Sequence, residues 1–327
     1  MLRFTVYRLL LMIPTLFLIS IICFVVIQLP PGDIVTSTLD ELQSEGQRAS
    51  EERIAALRKM YNLDAPMPVQ YMRWVGGMLT GDLGFSMQHQ QPVNELVGER
   101  LALTLVVASA SLLFTWIVAL PVGIIAAVRQ YSILDYVTTV FAMLGMAVPG
   151  FMLALVVMWG AFELFEISIG GLFSPDYVDA PWSLARVGDF LKHIWVPMVV
   201  VGMAGTAGMV RIMRANLLDE LRKPYVTTAR AKGVRPWRLI LKYPVRIAIN
   251  PFISGIGGIL PRLFSGSAIV SVVIDLPTTG PMLLDALMNQ DMYLAGSLIM
   301  ILSVLTVLGV LLSDLALAAI DPRIRYD

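Results

Sequence analysis

Charged residues are scarce in this chain of 327 residues: only 15% are Asp, Glu, Lys or Arg, against about 25% in soluble globular proteins. This leaves too little polar surface to cover a water-facing shell, since 57% of the residues are hydrophobic and the mean hydropathy is +0.75. An ordinary soluble domain is excluded, and the lipid bilayer is the expected solvent. The 24 basic and 24 acidic residues cancel, which argues against a nucleic-acid binder because such proteins are basic overall.

The side chains that most enzymes rely on are also few. Cys23 is the single cysteine, so no internal disulfide can form, and its apolar surroundings indicate a lipid-facing or packing residue rather than a reactive thiol. The two histidines, His89 and His193, lack metal-binding spacing such as H-E-x-x-H. Neither a G-x-S-x-G elbow nor a G-x-x-x-x-G-K-S/T phosphate loop occurs. The sequence therefore predicts a non-catalytic chain with no metal, cofactor or ATP site of its own.

Long apolar segments are present instead. A spanning helix needs about 20 mostly apolar residues, and six segments meet or approach this length. They cover residues 9–29, 101–128, 136–162, about 194–210, about 252–274 and about 292–320. A signal peptide is the alternative for the first segment, but its apolar run is longer than usual and no A-x-A-like cleavage site follows. We therefore expect an all-α integral membrane protein with six transmembrane helices and a large outer loop after the first.

The distribution of Lys and Arg predicts the orientation of these helices. With a cytoplasmic N-terminus, the cytoplasmic segments hold 15 of the 24 basic residues and the outer segments hold 8. Cytoplasmic loops are enriched in Lys and Arg, so both termini are expected inside. The predicted organisation is a tail with the first helix (1–29), an outer loop (30–100) with an amphipathic helix at 50–61, a transmembrane core (101–320) containing a cytoplasmic loop (211–250), and a cytoplasmic tail (321–327).

Glycines inside the apolar segments are interpreted as sites of close helix packing. They are Gly202, Gly205 and Gly208 in the fourth segment and the Gly-rich residues 255–258 in the fifth. Ala204 and Gly208 form a small-xxx-small pair, which lets two helices approach each other closely.

The cytoplasmic loop 211–250 carries ten of the basic residues and contains one well-punctuated short helix. Pro224 at its start and Gly233 past its end delimit about nine residues, or roughly 13 Å. A helix of this length is too short to be stable alone, so other parts of the chain or a partner must hold it. Two interpretations remain open on these residues: a basic loop against anionic lipid heads, or a docking helix in which Thr228, Ala229 and Ala231 permit close approach.

Several segments together resemble the permeases of binding-protein-dependent ABC importers, and among them the oligopeptide/dipeptide/nickel type on its first-permease side. Residues 225–233, followed by 249–251, resemble the EAA loop of these permeases, with Thr227 standing where the Glu that names the motif would fall. The other matching segments are 8–14, 81–86, 276–281, 289–293 and 319–326. The resemblance covers essentially the whole chain, and residues 243–246 depart from the pattern usual after the glycine.

By this resemblance, the helix before Gly233 is a coupling helix that lies in a groove of a separate ATPase subunit. The residues implied in ATPase coupling are Tyr225, Thr227, Thr228, Ala229, Arg230, Ala231, Lys232 and Gly233. The implied partners are a second, similar permease, two ATPase subunits that hold ATP and Mg, an extracytoplasmic solute-binding protein and membrane lipid, with no nucleic acid. The implied location is the cytoplasmic (inner) membrane of a bacterium or archaeon.

Two other regions acquire expected roles. The outer loop 30–100, with Leu172, Phe173 and residues 281–292, is expected to form an outer platform where the binding protein docks. Arg262 is an ionisable residue inside the fifth predicted span, and such residues are candidates for function. It either lines the translocation path, pairs with a partner subunit, or reaches water at a break near Pro261.

The cargo is left open by the sequence. A di- or oligopeptide is the commonest use of the group, whereas oligosaccharides, opines and nickel are the alternatives. A stand-alone carrier or channel is a different class, but carriers often show internal repeats and none is evident between the two halves.

Overall fold

The computed structural model describes residues 2–28, 65–86, 88–165, 170–258 and 268–320. Helices account for most of these residues. In the first half of the chain they are α1 (Leu2–Gln28), α2 (Met67–Thr80), α3 (Val93–Val128), α4 (Ile133–Ala147) and α5 (Gly150–Phe165). Between α2 and α3 lies an antiparallel hairpin of β1 (Phe85–Ser86) and β2 (Gln91–Pro92), with Phe85 opposite Pro92.

The second half begins with an amphipathic helix and continues through several short ones. Its helices are α6 (Leu184–His193), α7 (Trp195–Leu221), α8 (Pro224–Ala231), α9 (Pro236–Lys242), α10 (Pro244–Ala248), α11 (Asn250–Ser254), α12 (Ala268–Val273), α13 (Thr279–Met288) and α14 (Met292–Ile320). Single 3-10 turns occur at Pro175–Tyr177 and Gly255–Gly258. The helix expected at 50–61, Arg262 and the tail 321–327 lie outside the described residues.

Within the described residues, three helices are long and apolar enough to cross a membrane: Thr5–Gln28, Val93–Val128 and Met292–Ile320. Two bent helix pairs raise the number to five if each pair is one span. They are Ile133–Ala147 with Gly150–Leu164, and Leu184–Met203 with Gly205–Leu221. The remaining predicted span, 252–274, runs through residues 259–267, which are not described. The expected all-α membrane architecture is thus confirmed in outline, and the count of six stays a prediction.

The third predicted span is broken rather than continuous. Helices α4 and α5 meet at an angle of 103°, with Val148 in an extended conformation (ψ 122°) between them. Pro149 is the cause, because its ring disfavours the helical conformation of the preceding residue and it has no N–H to donate. The prediction of one uninterrupted helix over 136–162 is wrong, since hydropathy alone does not detect such a break.

The fourth and second spans extend beyond the limits that charges suggested. Helix α7 continues through Arg211 to Leu221, and its fully buried Met213 and Leu217 keep the apolar spacing of four residues. Helix α3 begins at Val93, eight residues before the predicted start at 101. A basic residue can end the lipid-facing part of a span without interrupting the helical hydrogen bonds, so charge was a poor guide to the helix ends.

One compact unit consists of Tyr7–Leu103 and Thr278–Leu305. Val93, Leu294 and Leu298 are fully buried at its centre. The buried carboxylate of Asp291 accepts a hydrogen bond of 2.5 Å from Ser86 Oγ and one of 3.2 Å from the backbone N–H of Leu294, which ties the hairpin to the start of α14. Cys23 packs with Phe24 and Trp74 in the same unit, and its interpretation as a packing residue is confirmed.

The other unit comprises Met1–Val6, Thr104–Pro277 and Thr306–Asp327. Among its described residues, Phe252 is fully buried against Met213 and Leu217 of α7, and its ring meets Trp116 edge-on at 6.2 Å. Ser313 Oγ donates a 2.7 Å hydrogen bond to the Ile253 carbonyl, which fastens α11 to α14. The short helices after α7 are therefore held by long ones.

The glycines divide into packed and free positions. A Cβ on Gly202 would lie 2.6 Å from the Phe114 ring, and one on Gly257 would lie 2.8 Å from Val310 Cα, so both are close-packing sites as predicted. Among the described residues, no atom of another segment lies within 4 Å of the Cβ position of Gly208. Close packing at Gly208 therefore stays a prediction.

Gly123 and Gly208 offer a matched test of helix packing. A Cβ on Gly123 would lie 2.6 Å from Met213 Cβ and 3.0 Å from the Val210 carbonyl oxygen. Gly123→Ala should therefore destabilise the protein by about 1–3 kcal/mol through overpacking. Gly208→Ala should be neutral or stabilising by up to about 1 kcal/mol, because Ala favours the helix and meets no neighbour. Thermal unfolding in detergent measures both, and equal effects would contradict the packing assignment.

Candidate functional site

The short helix α8 has sharply defined ends. Pro224 opens it, and past Ala231 the backbone N–H groups of Lys232 and Gly233 donate to the carbonyls of Thr228 (3.1 Å) and Arg230 (3.0 Å). Gly233 has a φ of +73°, a left-handed conformation that only glycine adopts at little cost. The predicted helix and its punctuation are confirmed.

Helix α8 has one face inside the protein and one outside. Val226 is 1% exposed and Ala229 9% exposed, and they pack against the buried side chains of Leu239 and Ile240 on α9. Their spacing of three residues places both on one side of the helix. The outward side carries the exposed residues Thr227, Thr228, Arg230, Ala231 and Lys232.

Tyr225 fixes the start of the helix. It is half-buried, and its hydroxyl donates a short hydrogen bond to Glu220 Oε2 at the end of α7. Burial raises the pKa of Tyr225, and the carboxylate of Glu220 raises it further, so the hydroxyl stays protonated at neutral pH. This bond joins the last turn of α7 to the first turn of α8.

The eight residues predicted for ATPase coupling, 225 and 227–233, do not all lie on the exposed side of α8. Six of them, counting Gly233, are exposed, whereas Tyr225 is half-buried and Ala229 is buried. The expectation that Ala229 offers a contact surface to a partner is wrong, because its methyl group is used in the chain's own core. Arg262, the proposed path residue, lies outside the described residues.

Sequence analysis missed an ion pair that connects α4 to α7. Arg214 Nε donates to Asp135 Oδ1 at 2.6 Å and Arg214 Nη2 donates to Asp135 Oδ2 at 2.8 Å, in a two-pronged geometry. Asp135 is only 3% exposed, and its Oδ2 also accepts from the Tyr131 backbone N–H at 2.9 Å. Arg214 lies within the predicted cytoplasmic loop 211–250, and the residues near either partner do not indicate the pairing.

A second polar cluster lies around α6. Arg186 is buried with its guanidinium carbon 4.6 Å from the Phe173 ring centroid and 4.5 Å from that of Trp182. The Asp189 carboxylate accepts from the backbone N–H (2.7 Å) and hydroxyl (2.6 Å) of Ser174. Helix α6 thus turns its charged side inward, while Leu184 on the same helix is 92% exposed.

This cluster bears on the outer platform expected from the sequence. Leu172 and Phe173 are 1% and 7% exposed. They build the inside of the segment, so neither presents a side chain to a docking protein.

The described residues contain no group of three or more His, Cys, Asp or Glu side chains placed to hold a metal ion. In the Asp189 cluster, His193 Nδ1 lies 2.8 Å from the backbone carbonyl of Asp189, and Ser174 donates to the carboxylate rather than to the imidazole. These hydrogen bonds connect Ser174 and the last turn of α6 to the buried Asp189.

Two family models match the chain. The model described as "Binding-protein-dependent transport system inner membrane component" matches residues 119–326. The model described as "Binding-prot-dependent transport system membrane comp, N-term" matches residues 1–108. Together they cover nearly the whole sequence.

Three relatives match over essentially their full length. The oligopeptide transport system permease protein AppB of Bacillus subtilis is 33% identical over 328 residues, covering 100% of both chains. The dipeptide transport system permease protein DppB of Escherichia coli is 31% identical over 349 residues, covering 100% of this chain and 99% of that one. The oligopeptide transport system permease protein OppB of Salmonella typhimurium is 32% identical over 329 residues, covering 100% of both.

Neighbouring residues of α8 allow a test of its two faces. Ala229→Glu should lower the melting temperature, because it places an unpaired charge in the cluster with Leu239 and Ile240, at a cost of about 2 kcal/mol or more. Arg230→Glu changes an exposed position and should alter stability by less than about 0.5 kcal/mol. Thermal unfolding of the purified chain measures both, and a stable Ala229→Glu variant would contradict the inward assignment of this face.

Proposed function

Because this chain belongs to the family of binding-protein-dependent transport system inner membrane components, we propose that it forms the translocation path of an ATP-driven importer of di- or oligopeptides. The family resemblance stated from the sequence is confirmed, and the chain is a non-catalytic permease. Relatives at about one-third identity over the full length are named as oligopeptide and dipeptide permeases, which favours peptide cargo over oligosaccharide, opine or nickel.

The proposed topology has six membrane-crossing segments, with both termini and the loop 211–250 in the cytoplasm. The excess of Lys and Arg in the cytoplasmic segments supports this orientation. Arg262 remains a proposed path residue, because an ionisable side chain within an apolar segment is costly unless it faces water or a partner.

The outward face of α8 is the proposed contact with a separate ATPase subunit. The observation that carries this proposal is the combination of a rigid inner face, held by Val226 and Ala229, with an exposed outer face of small residues at Thr227, Thr228 and Ala231. Small side chains allow a partner groove to close on the helix. Two ATPase subunits would hold ATP and Mg, while a second permease and an extracytoplasmic binding protein would complete the assembly.

Rigid attachment makes this helix suited to transmit movement. Its first turn is bonded to α7 through Tyr225 and Glu220, and α7 is bonded to α4 through Arg214 and Asp135. Displacement of α8 by closing ATPase subunits would therefore tilt membrane helices rather than deform a loop.

Ala231→Glu tests the coupling face. It puts a charge on the exposed outer face, so the chain should keep its melting temperature while co-purification of the ATPase subunits falls at least about tenfold. Arg129→Glu is the control, since it adds negative charge at an exposed residue in the other proposed cytoplasmic loop. Unchanged ATPase recovery with Ala231→Glu would exclude this face as the contact.

Uptake by the reconstituted assembly tests the cargo. ATP-dependent uptake of a labelled dipeptide should be competed by unlabelled di- and oligopeptides, and an oligosaccharide, an opine or nickel should not compete. Competition by one of those solutes alone would reassign the cargo. Uptake by this chain alone, without ATP, would instead support a stand-alone carrier.

A further inference from the structure

A cavity of about 660 Å³ opens beside the start of α8. It is bounded by the end of α7, the start of α8, helices α9 and α10, the first residue of α11 and the last residue of α14. The lining residues are Glu220, Lys223, Tyr225, Lys242, Tyr243, Arg246, Ile247, Asn250 and Ile320. Three stretches of the chain, 220–225, 242–250 and 320, thus converge on one pocket.

The pocket is strongly cationic. The described lining residues include three cations, Lys223, Lys242 and Arg246, and one carboxylate, that of Glu220, which accepts from the Tyr225 hydroxyl. Arg246 Nη2 donates to the Ile320 carbonyl at 3.3 Å. Lys242 Nζ lies 5.6 Å from the Tyr243 ring centroid. Within the described part of the chain, no carboxylate forms an ion pair with any of the three cations.

Such a pocket selects a multivalent oxyanion. A guanidinium and two ammonium groups on different segments can each donate to a different oxygen of one phosphate. Tyr225, Tyr243 and Asn250 also line the cavity, and the Asn250 amide N–H₂ group is a further donor type that suits an oxyanion. The volume exceeds what a bare phosphate would need, leaving room for the group that it esterifies.

We propose that this cavity binds the phosphate headgroup of an anionic phospholipid. Ile247 and Ile320 give the cavity an apolar border, and Ile320 is the last residue of the apolar 29-residue helix α14. On α9, Trp237 and Leu241 are 57% and 56% exposed and lie four residues apart. Exposed apolar and aromatic side chains next to cations are typical of a protein surface in the headgroup region.

A bound headgroup would stiffen the connection that the proposed function requires. Tyr225 belongs to the first turn of α8 and Lys223 directly precedes that helix, whereas Lys242 and Arg246 belong to the helices that follow it. A phosphate held between them joins both sides of the loop. This consequence, unlike the binding itself, rests on the proposed coupling role, and it predicts faster ATP-driven uptake in membranes that contain anionic lipid.

Lipid retention tests the site directly. The full transporter is purified in nanodiscs of phosphatidylcholine, with or without phosphatidylglycerol, and the retained lipid is quantified by native mass spectrometry. Each cation near an anionic headgroup contributes about 1 kcal/mol, and each 1.4 kcal/mol is roughly tenfold in affinity. The double variant Lys242→Gln/Arg246→Gln should therefore weaken phosphatidylglycerol binding about thirtyfold. Arg235→Gln/Arg238→Gln removes two exposed cations outside the cavity and should leave binding unchanged.

The alternatives have distinct results. If phosphatidylglycerol binding fell equally in both double variants, or in neither of them, the proposed site would be overturned. Inorganic phosphate is titrated in phosphatidylcholine nanodiscs, and saturable binding without phosphatidylglycerol retention would overturn the lipid assignment in favour of a soluble phosphate. Lys223→Gln, outside any helix, replaces the double variant if that one fails to assemble. Lipid retention needs no ATP, so a failure of coupling would not be mistaken for a failure of binding.

Discussion

The contact of Val226 and Ala229 with Leu239 and Ile240 is the interaction on which the short helices after α7 depend. A helix of eight residues does not form stably in water, because nucleation costs more than so few hydrogen bonds return. Burial of two apolar side chains compensates for that cost. It also leaves Thr227, Thr228 and Ala231 exposed on the opposite side of the helix.

Rigidity behind the helix comes from contacts that are spread along the chain. The Asp135–Arg214 pair is largely buried, and a bidentate geometry is one of the few that offset the cost of removing charges from water. The close approach of Gly123 to Met213 adds a packed contact between α3 and α7 nearby. Helix α7 is therefore held by α3 and α4 along its length, and it ends at Leu221, three residues before α8 begins.

The ends of the short helix α8 were predictable from the sequence, whereas the contacts between distant residues were not. Pro224 and Gly233 act through their own backbone limits, so the ends of α8 could be predicted. The inward orientation of Ala229 depends on residues 239 and 240, which only the folded chain brings close. The pairing of Asp135 with Arg214 spans 79 positions and has no local signal. The interruption between α4 and α5 at Val148 is caused by Pro149, and a hydropathy average over the segment does not reveal it.

The bend at Val148 and Pro149 has a consequence for the surrounding lipid. Proline cannot donate a hydrogen bond, so the carbonyl of Gly145 loses the donor that a continuous helix would supply. Hydrocarbon offers no substitute, and irregular backbone at membrane depth is tolerated only beside protein or water. Gly145 approaches Ala207 of α7, with its Cβ position 3.1 Å from the alanine methyl group. The α7 side of the bend is therefore covered by protein, whereas Leu144, Met146 and Val148 on its other sides are exposed.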